Sequence, residues 1–484
     1  MTSITQQCQV VSLLGHSINM AHIRNIRRCA AALACVSLGI LAGPVVLATG
    51  AAATERSSVA PFPSSTVDLV GFGNGSGLGM GQWGAFGYAA LDHKTYQWIL
   101  AHYYGGTTLS SSDSSASTDP TISVDLNEND GDPVVVTSES AFSFGGILFP
   151  GGQAVRAVES QGTWTLSHSA ECSSKEWTRV ASNVVNPVAV PSSLRPSATL
   201  NQVLTICEHD GVDLPVRGTV EAYDSPGGAV TLSILPIEEY VRSVVSAEVS
   251  WSWGLFGGRT GSPQGHAWGF QALEAQAVAT RSYAAAEIAS GGWAAYATSC
   301  DSDCQSYPGM ADENPMLNAA VRDTAGEILE QPGTPGTPGT PGTPSTLVTP
   351  VTPGAPETPV FAEYYASSGG YTVNGEFPSV VDRGDVVCIK SSYYTCNLCH
   401  RWLASVPVSA VEKAFPSVGK LAKVEVTQRN GLGPLGGRVV TVEIIGTTGA
   451  EVSASSSALG ALISVNNQDD CASDWYAVVD RLTR

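Results

Sequence analysis

The sequence predicts an α+β fold, because helix-like and strand-like patterns occupy different parts of the chain. Two stretches between Leu235 and Tyr283 have helical spacing. Residues 118–232 instead hold short Val-, Thr- and Ile-rich runs separated by Gly, Pro, Asn and Asp, and similar runs follow Val406. We therefore expect helices packed on mixed or antiparallel sheets, with a β-rich inserted region.

Length and composition limit the number of domains and exclude some classes of function. The chain has 484 residues, of which 43% are hydrophobic, enough for two or three domains with a sizeable core. It carries 43 acidic and 24 basic residues, a formal net charge of -19. Nucleic-acid binding needs clustered Lys and Arg, which this sequence lacks, so we expect no nucleic-acid partner.

The first 53 residues resemble a targeting segment. Arg24, Arg27 and Arg28 precede an apolar run over residues 29–48, and small residues 51–53 follow as a cleavage site. We expect a secreted protein exported through this N-terminal signal. The run is also about as long as a bilayer is thick, so an uncleaved anchor remains open as the only membrane contact.

Export makes the remaining cysteines informative, since disulfides form outside the cytosol. Eight cysteines lie beyond the leader: Cys172, Cys207, Cys300, Cys304, Cys388, Cys396, Cys399 and Cys471. Their even number predicts disulfides, and we expect Cys172 to pair with Cys207 and Cys300 with Cys304.

The sequence Cys396-Asn-Leu-Cys399-His400 matches the C-x-x-C-H pattern of c-type haem attachment. No second axial ligand or haem-sized apolar stripe accompanies it. Disulfides to the nearby Cys388 and Cys471 are the alternative, and we expect no cofactor here.

A candidate acid lies at the end of the first predicted helix. Pro236 suits the first helical position. One face then carries residues at helical spacing: Ile237, Val241, Val244 and Glu248. A carboxyl group on an apolar face has a raised pKa and stays protonated, as a general acid requires. Alternatively, the helix ends before Glu248 and the side chain reaches water.

The second predicted helix is rich in alanine, which permits close helix packing. Its polar side chains are Gln276, Arg281 and Tyr283. Arg281 is either a charge partner inside a cleft or an exposed surface cation.

These stretches carry a family resemblance. PIEEYVRSVVSAEVSWSW and ALEAQAVATRSYA resemble the signature of the SpoIID/LytB family of peptidoglycan lytic transglycosylases and amidase enhancers. The segments VRGTVEAY, AAVRDTAGEIL, YYASSGGYT and GLGMGQWGAFGYAALDHKTYQWILAHYYGGTTL agree as well. The resemblance implies sporulation-like, cell-wall functions, with peptidoglycan glycan strands as the partner.

The resemblance also implies a domain organisation. A Gly-rich N-terminal part of the SpoIID-like domain covers residues 67–110, a β-rich insertion residues 118–214, and the catalytic core residues 215–375. The core contains a Pro/Gly/Thr-rich loop over residues 331–359, whose composition favours extended, solvated backbone. Residues 376–484 form a C-terminal β-rich part of the same domain.

Glu248 matches the catalytic glutamate of the family. A lytic transglycosylase needs one acid, because the muramic acid 6-hydroxyl, rather than water, attacks the anomeric carbon and gives 1,6-anhydro ends. We expect Glu248 to serve first as acid and then as base. The alternative is a non-catalytic module that binds glycan strands and stimulates a cell-wall amidase.

Polar side chains in the matching motifs are candidate substrate contacts: Gln82, Ser76, His102, Gln276, Arg281, Tyr283, Ser367, Ser368 and Thr372. Ser76 stands where the family usually has His, and this substitution favours the binding module. Among other residues, Trp164 and Trp177 are either sugar-stacking platforms or core residues.

Some family members have a Cys-containing element at Cys300-Asp-Ser-Asp-Cys304, and some bind zinc there. This copy is one residue shorter, and the nearest histidines are His266 and His400. Zinc needs about four N or S ligands. We therefore expect a disulfide and no metal, with Cys300 and Cys304 as weak zinc candidates.

Overall fold

The computed structural model describes residues 59–111, 120–207, 212–301, 303–332, 357–390, 394–466 and 471–479. The predicted leader lies outside these residues, as does most of the predicted Pro/Gly/Thr-rich loop. Within the described part, no helix has the length and apolar character needed to span a bilayer.

Seven α-helices are described: α1 (Gln82–Ala90), α2 (Tyr96–Tyr103), α3 (Ile237–Glu248), α4 (Phe270–Ser290), α5 (Pro315–Asp323), α6 (Val408–Ala414) and α7 (Ser456–Asn466).

The described strands are β1 (Thr66–Gly71), β2 (Met80–Gly81), β3 (Thr108–Ser111), β4 (Thr121–Asp125), β5 (Val134–Thr137), β6 (Phe142–Phe144), β7 (Ile147–Phe149), β8 (Ala154–Ser160), β9 (Thr163–Ser169), β10 (Thr178–Val184), β11 (Val188–Val190), β12 (Leu204–Cys207), β13 (Asp213–Val216), β14 (Thr219–Ser225), β15 (Gly228–Pro236), β16 (Ser299–Cys300), β17 (Glu327–Gln331), β18 (Thr358–Pro359), β19 (Tyr364–Tyr365), β20 (Cys388–Lys390), β21 (Tyr394–Cys396), β22 (Trp402–Pro407), β23 (Leu421–Arg429), β24 (Val439–Gly446), β25 (Glu451–Ser455) and β26 (Tyr476–Val479).

Two larger sheets form the β-rich part of the chain. One has the order β16-β4-β15-β14-β11-β6-β7, and the other has the order β10-β9-β8-β5-β12-β13. All their pairings are antiparallel except that of β16 with β4. The helices α1, α3 and α4 share one hydrophobic core with these sheets, which confirms the predicted α+β class.

A second hydrophobic core lies in the C-terminal part. It is built on the sheets β22-β1-β26 and β23-β24-β25 together with α6 and α7. The N-terminal strand β1 is central in the first of these sheets, since it pairs with β22 on one side and β26 on the other. The strand-like runs predicted after Val406 are therefore present as β23 and β24.

Helix boundaries differ from two of our expectations. Pro236 is the N-cap of α3 rather than its first residue, because β15 continues to Pro236 and pairs it with Thr121. The sequence also favours a helix from Asn314 to Gly326. The Asn314 side chain does accept from the Met316 N–H, but α5 ends at Asp323, where the chain turns into β17.

The two tryptophans of the β-rich part have different environments. Trp164 on β9 is fully buried in the main core, whereas Trp177, just before β10, is half-buried at the surface. Trp164 is therefore a core residue.

Candidate functional site

Glu248 is the last residue of α3 and lies at the edge of the main core. Behind it the helix packs Tyr240, Val241 and Val244 with no solvent exposure. The next residue, Val249, is extended and ends the helix. Glu248 thus stays on the helix and half-buried, rather than in a frayed end.

A chain of side-chain amides holds the Glu248 carboxylate. The Gln82 Nε2 donates to Glu248 Oε2 at 3.0 Å and lies 3.5 Å from Gln276 Oε1. Gln276 in turn donates to the Thr280 hydroxyl at 3.2 Å. Gln82 is only 6% exposed and Gln276 is 1% exposed, so this network is built into the fold.

A second network approaches the same carboxylate. The Tyr364 hydroxyl donates to Gln305 Oε1 at 2.6 Å, and the Gln305 amide donates to the Tyr240 hydroxyl at 3.3 Å. Burial raises the pKa of Tyr364 well above its usual value, and the negative charge of Glu248 raises this pKa further. The phenol therefore stays protonated and within electrostatic reach of Glu248.

Burial raises the pKa of Glu248 above its usual value, although two hydrogen bonds oppose the rise. The side-chain amide of Gln82 and the backbone N–H of Ser306 both favour the ionised form. A carboxyl group balanced in this way can donate a proton and then take one back.

A short parallel pairing brings Gln82 and Tyr364 to the site. Strand β2 pairs with β19 in the register Met80–Tyr364 and Gly81–Tyr365, and α1 begins at the next residue, Gln82. Gly79, just before β2, has φ +73, and a Cβ there would lie 1.9 Å from the Glu363 carbonyl oxygen. The Gly-rich stretch is thus needed for close backbone approach.

Residues 226–330 match the family model described as Stage II sporulation protein, SpoIID. This segment of the chain is similar to the SpoIID family. The matched residues include Glu248, Gln276 and Gln305, whereas Gln82 and Tyr364 lie outside them. No curated protein and no solved structure matches the chain. The SpoIID family is linked in general to peptidoglycan lytic activity.

The small-residue turn after β19 packs against the Gly-rich segment before α1 and is held by Asp385. Ser367 donates to this fully buried carboxylate at 2.9 Å, and the Ser368 and Gly369 N–H groups each donate at 2.9 Å. Asn397 donates to the Ser367 hydroxyl, and His400 Nδ1 lies 2.8 Å from Asp385.

The three predicted hydroxyl contacts in this turn are engaged in holding it. Ser367 binds Asp385, Ser368 accepts from the Gly370 N–H at 3.0 Å, and Thr372 accepts from the Val380 N–H at 2.8 Å. All three are buried. Their hydroxyl groups shape the turn rather than face an open surface.

Arg281 lies inside the segment that matches the SpoIID model, where it is 2% exposed. Its guanidinium forms a bidentate ion pair with Glu238 at 2.7 and 2.8 Å and donates to the carbonyl oxygens of Val321 and Glu327. Arg281 is thus neither a charge partner inside an open cleft nor an exposed surface cation, the two roles that the sequence left open. Buried Arg281 ties α3 and α4 to the end of α5.

The other candidate contacts lie away from the amide chain. Tyr283 packs its ring edge-on against Phe361. His102 stacks on Trp98 with its Nε2 3.1 Å from the Val381 carbonyl oxygen, and burial lowers its pKa. Ser76 is exposed and accepts from the nearby Leu78 N–H.

The eight cysteines form four disulfides: Cys172–Cys207, Cys300–Cys304, Cys388–Cys396 and Cys399–Cys471. Both expected pairs are among them. The two thiols of the C-x-x-C-H sequence are bonded to separate partners, and its histidine contacts Asp385. That Cys300 and Cys304 hold no metal stays a prediction.

Sequence reasoning missed Thr280, Gln305 and Tyr364. Thr280 lies four residues after Gln276, on the same face of α4. Gln305 directly follows Cys304, and Tyr364 is in the quoted YYASSGGYT segment. Their positions beside known motif residues could have marked them as candidates. Nothing in the sequence, however, shows that these segments meet in the folded protein.

Proposed function

We propose that this protein cleaves peptidoglycan glycan strands as a lytic transglycosylase, with Glu248 as the only acid and base. The observation that carries the proposal is the 3.0 Å hydrogen bond from Gln82 to a half-buried carboxylate whose pKa is raised by burial. The SpoIID match, which includes Glu248, supports peptidoglycan as the substrate.

The chemistry needs one proton and no water. Protonated Glu248 gives its proton to the glycosidic oxygen as the bond between muramic acid and N-acetylglucosamine breaks. The 6-hydroxyl of the muramic acid then attacks its own anomeric carbon, and the Glu248 carboxylate accepts the hydroxyl proton. The product is a 1,6-anhydro end, and Glu248 is protonated again.

Gln82 has a distinct part in this cycle. Its amide N–H stabilises the carboxylate after the first proton leaves and keeps Oε2 in one orientation. Tyr364, whose hydroxyl is committed to Gln305, borders the carboxylate as a neutral group. Together they hold Glu248 ready for the second proton transfer.

The same proposal places the protein outside the cytosol. Four cysteine pairs at bonding distance fit an exported protein, because structural disulfides persist in oxidising surroundings. We propose export through the N-terminal signal into the cell wall, where the glycan strands lie.

The test compares the full chain with Glu248→Gln on intact and on peptide-free glycan strands, using mass spectrometry to detect 1,6-anhydromuramic ends. We expect anhydro products from the parent and a loss of about 100-fold or more in the variant. Strand binding without products, equal in both proteins, would contradict the enzyme and indicate an amidase enhancer instead.

A further inference from the structure

A short disulfide lies directly before two residues of the proposed site. Cys300 and Cys304 are bonded to each other, and the Cys300 N–H also donates to the Cys304 sulfur at 3.1 Å. Gln305 and Ser306 follow at once in the sequence. Both residues belong to the surroundings of Glu248, so the disulfide is placed to control where they lie.

One end of this disulfide is fixed to the seven-stranded sheet. Cys300 is the last residue of β16, has no solvent exposure and pairs with Asp125 of β4. The Asp301 N–H then donates to the Asp125 carbonyl oxygen at 3.0 Å. Because these backbone bonds hold Cys300 on the sheet, the sulfur–sulfur bond gives Cys304 a rigid point of attachment.

Both ends of the Gln305 amide are hydrogen-bonded. Its Oε1 accepts from the Tyr364 hydroxyl at 2.6 Å, and its Nε2 donates to the Tyr240 hydroxyl at 3.3 Å. The side chain is only 4% exposed. Since Tyr364 is within electrostatic reach of Glu248, the place of Gln305 decides which way the neighbouring phenol points.

Ser306 contacts the acid directly. Its backbone N–H donates to the Glu248 carboxylate and favours the ionised form. No rotamer change can redirect a backbone donor, so the path of the loop sets its direction. Tyr307 ends the loop: its N–H donates to the Asp301 carbonyl oxygen at 3.1 Å, and its hydroxyl lies 3.0 Å from that of Ser233.

A short covalent ring restricts this loop more than its hydrogen bonds do. The two sulfurs join residues only 4 apart in sequence, which leaves the backbone at Cys304 few alternative positions. Hydrogen bonds alone exchange readily with water when a loop moves. Of the four disulfides in the described residues, only this one is followed directly by contacts to the Glu248 networks.

We propose that the Cys300–Cys304 disulfide is a positioning element of the proposed site. It holds Gln305 and Ser306 where they orient Tyr364 and Glu248, and it acts through these residues rather than on substrate. This inference rests on the proposed cleavage by Glu248. A chain without the bond folds, but its acid is less often in the geometry of proton transfer.

The test compares the full chain with Cys300→Ala/Cys304→Ser, using the rate of anhydro-end formation on peptide-free strands. We expect kcat to fall about tenfold with KM unchanged, because the loop orients the acid and does not bind the strand. Loss of the Ser306 donor favours protonated Glu248, so the alkaline limb of the kcat profile moves up by about half to one pH unit.

The matched control is Cys388→Ser/Cys396→Ser, which removes another short disulfide and should leave kcat and the profile unchanged. A second measurement needs no turnover: carbon-13 NMR titration of the Glu248 carboxyl group, assigned with Glu248→Gln. We expect the pKa of Glu248 to be higher in Cys300→Ala/Cys304→Ser than in the parent. A parent that makes no anhydro ends would reject the proposed cleavage, whereas this titration would still report on the positioning.

Three results would overturn the proposal: unpaired thiols at Cys300 and Cys304 in the unreduced parent, a Glu248 titration and kcat that stay the same without the disulfide, or equal changes in the control. Peptide mass spectrometry detects the thiols, and thermal unfolding shows whether each variant is folded. If Cys300→Ala/Cys304→Ser does not fold, Gln305→Met decides, because a parent-like kcat in that variant would also reject the proposal.

Discussion

The carboxylate of Glu248 is subject to two opposed influences. Burial favours its protonated form, while donation from Gln82 and from the Ser306 backbone favours the ionised form. The balance sets the pH at which Glu248 can give up a proton. Because Gln82 is the only side-chain donor among these influences, it is the residue through which the balance can be tested.

Replacing Gln82 by Met, which is similar in length, removes the amide donor. The pKa of Glu248 then rises further, so the alkaline limb of the cleavage profile moves up by about one pH unit. Cleavage at neutral pH also slows, because the carboxylate loses its fixed orientation. The measurement is the rate of anhydro-end formation against pH.

Gln97→Met, at an exposed position on α2, is the control and should leave the profile unchanged. An alkaline limb that stays in place or moves down in Gln82→Met would show that the amide does not tune Glu248.

A substitution at Arg281 can show whether this motif residue contacts substrate or stabilises the fold. Replacing Arg281 by Met leaves Glu238 without its bidentate partner, so we expect the free energy of unfolding to fall by about 3 kcal/mol. Denaturant unfolding measures this loss. Arg322→Met is the control, because its ion pair with Asp323 is exposed and should cost no more than about 1 kcal/mol.

A stable Arg281→Met protein with weakened strand binding would contradict the structural role and restore Arg281 as a substrate contact.

At the scale of elements, helix α4 is unusual because it is buried on nearly all sides. Its alanines let α3 and α5 pack closely, while several of its polar residues meet a specific partner. Gln276 belongs to the site, Arg281 to an ion pair, and Glu274 accepts from Gln271. The helix therefore contributes both to the proposed site and to the packing of the core.

Glu274 makes the stability of α4 depend on pH. Burial raises its pKa to about 8. Because the folded pKa lies above the unfolded value of about 4.5, unfolding releases a proton, and stability is lost as pH rises from about 4.5 to about 8. Glu274→Gln should flatten this slope and stabilise the protein by about 3 kcal/mol at pH 7.

Urea unfolding at several pH values checks this, with the exposed Glu139→Gln as the control. An unchanged slope in Glu274→Gln would mean that Glu274 is ionised in the folded protein at little cost.

Local patterns predicted several of the elements, because helical spacing, strand alternation and caps depend on neighbours in sequence. The Asn314 cap and the strands near Thr121 and Val134 follow from such patterns. The pairing of β2 with β19 does not, since each has two residues and their partners are distant in sequence. Its absence from the prediction explains why Tyr364 was missed.

At the scale of the whole molecule, the described residues form two large hydrophobic cores, which meet around the small-residue turn held by Asp385. Ser367 reaches Asp385 from β19, and Asn397 and His400 reach it from the segment before β22. Cys399 is then bonded to Cys471, beside β26. The second core is thus fastened next to the part that holds the proposed site.

The disulfides should contribute unequally to stability. Cys399–Cys471 spans 72 residues and Cys300–Cys304 spans 4. In the loop-entropy picture, the longer loop contributes about 4 kcal/mol and the shorter about 2. Replacing each pair by serines and measuring denaturant unfolding tests the order, and a larger loss from the Cys300–Cys304 pair would contradict it.

The candidate site was predictable in part. Glu248, Gln82 and Gln276 follow from helical spacing and motif resemblance, and the structure places all three in one network. The roles of Ser367, Thr372 and Arg281 could not be predicted. Whether a polar group faces solvent or a buried partner depends on tertiary contacts, which the sequence does not show.

The β2–β19 pairing has a practical consequence for the expression of truncated forms of this protein. A fragment cut at residues 226–330 keeps Glu248 but discards Gln82 and Tyr364, which arrive from opposite sides of those boundaries. Such a piece would expose the acid to bulk water and return its proton affinity to that of an ordinary glutamate. Inactivity of that piece would therefore say nothing against the intact protein.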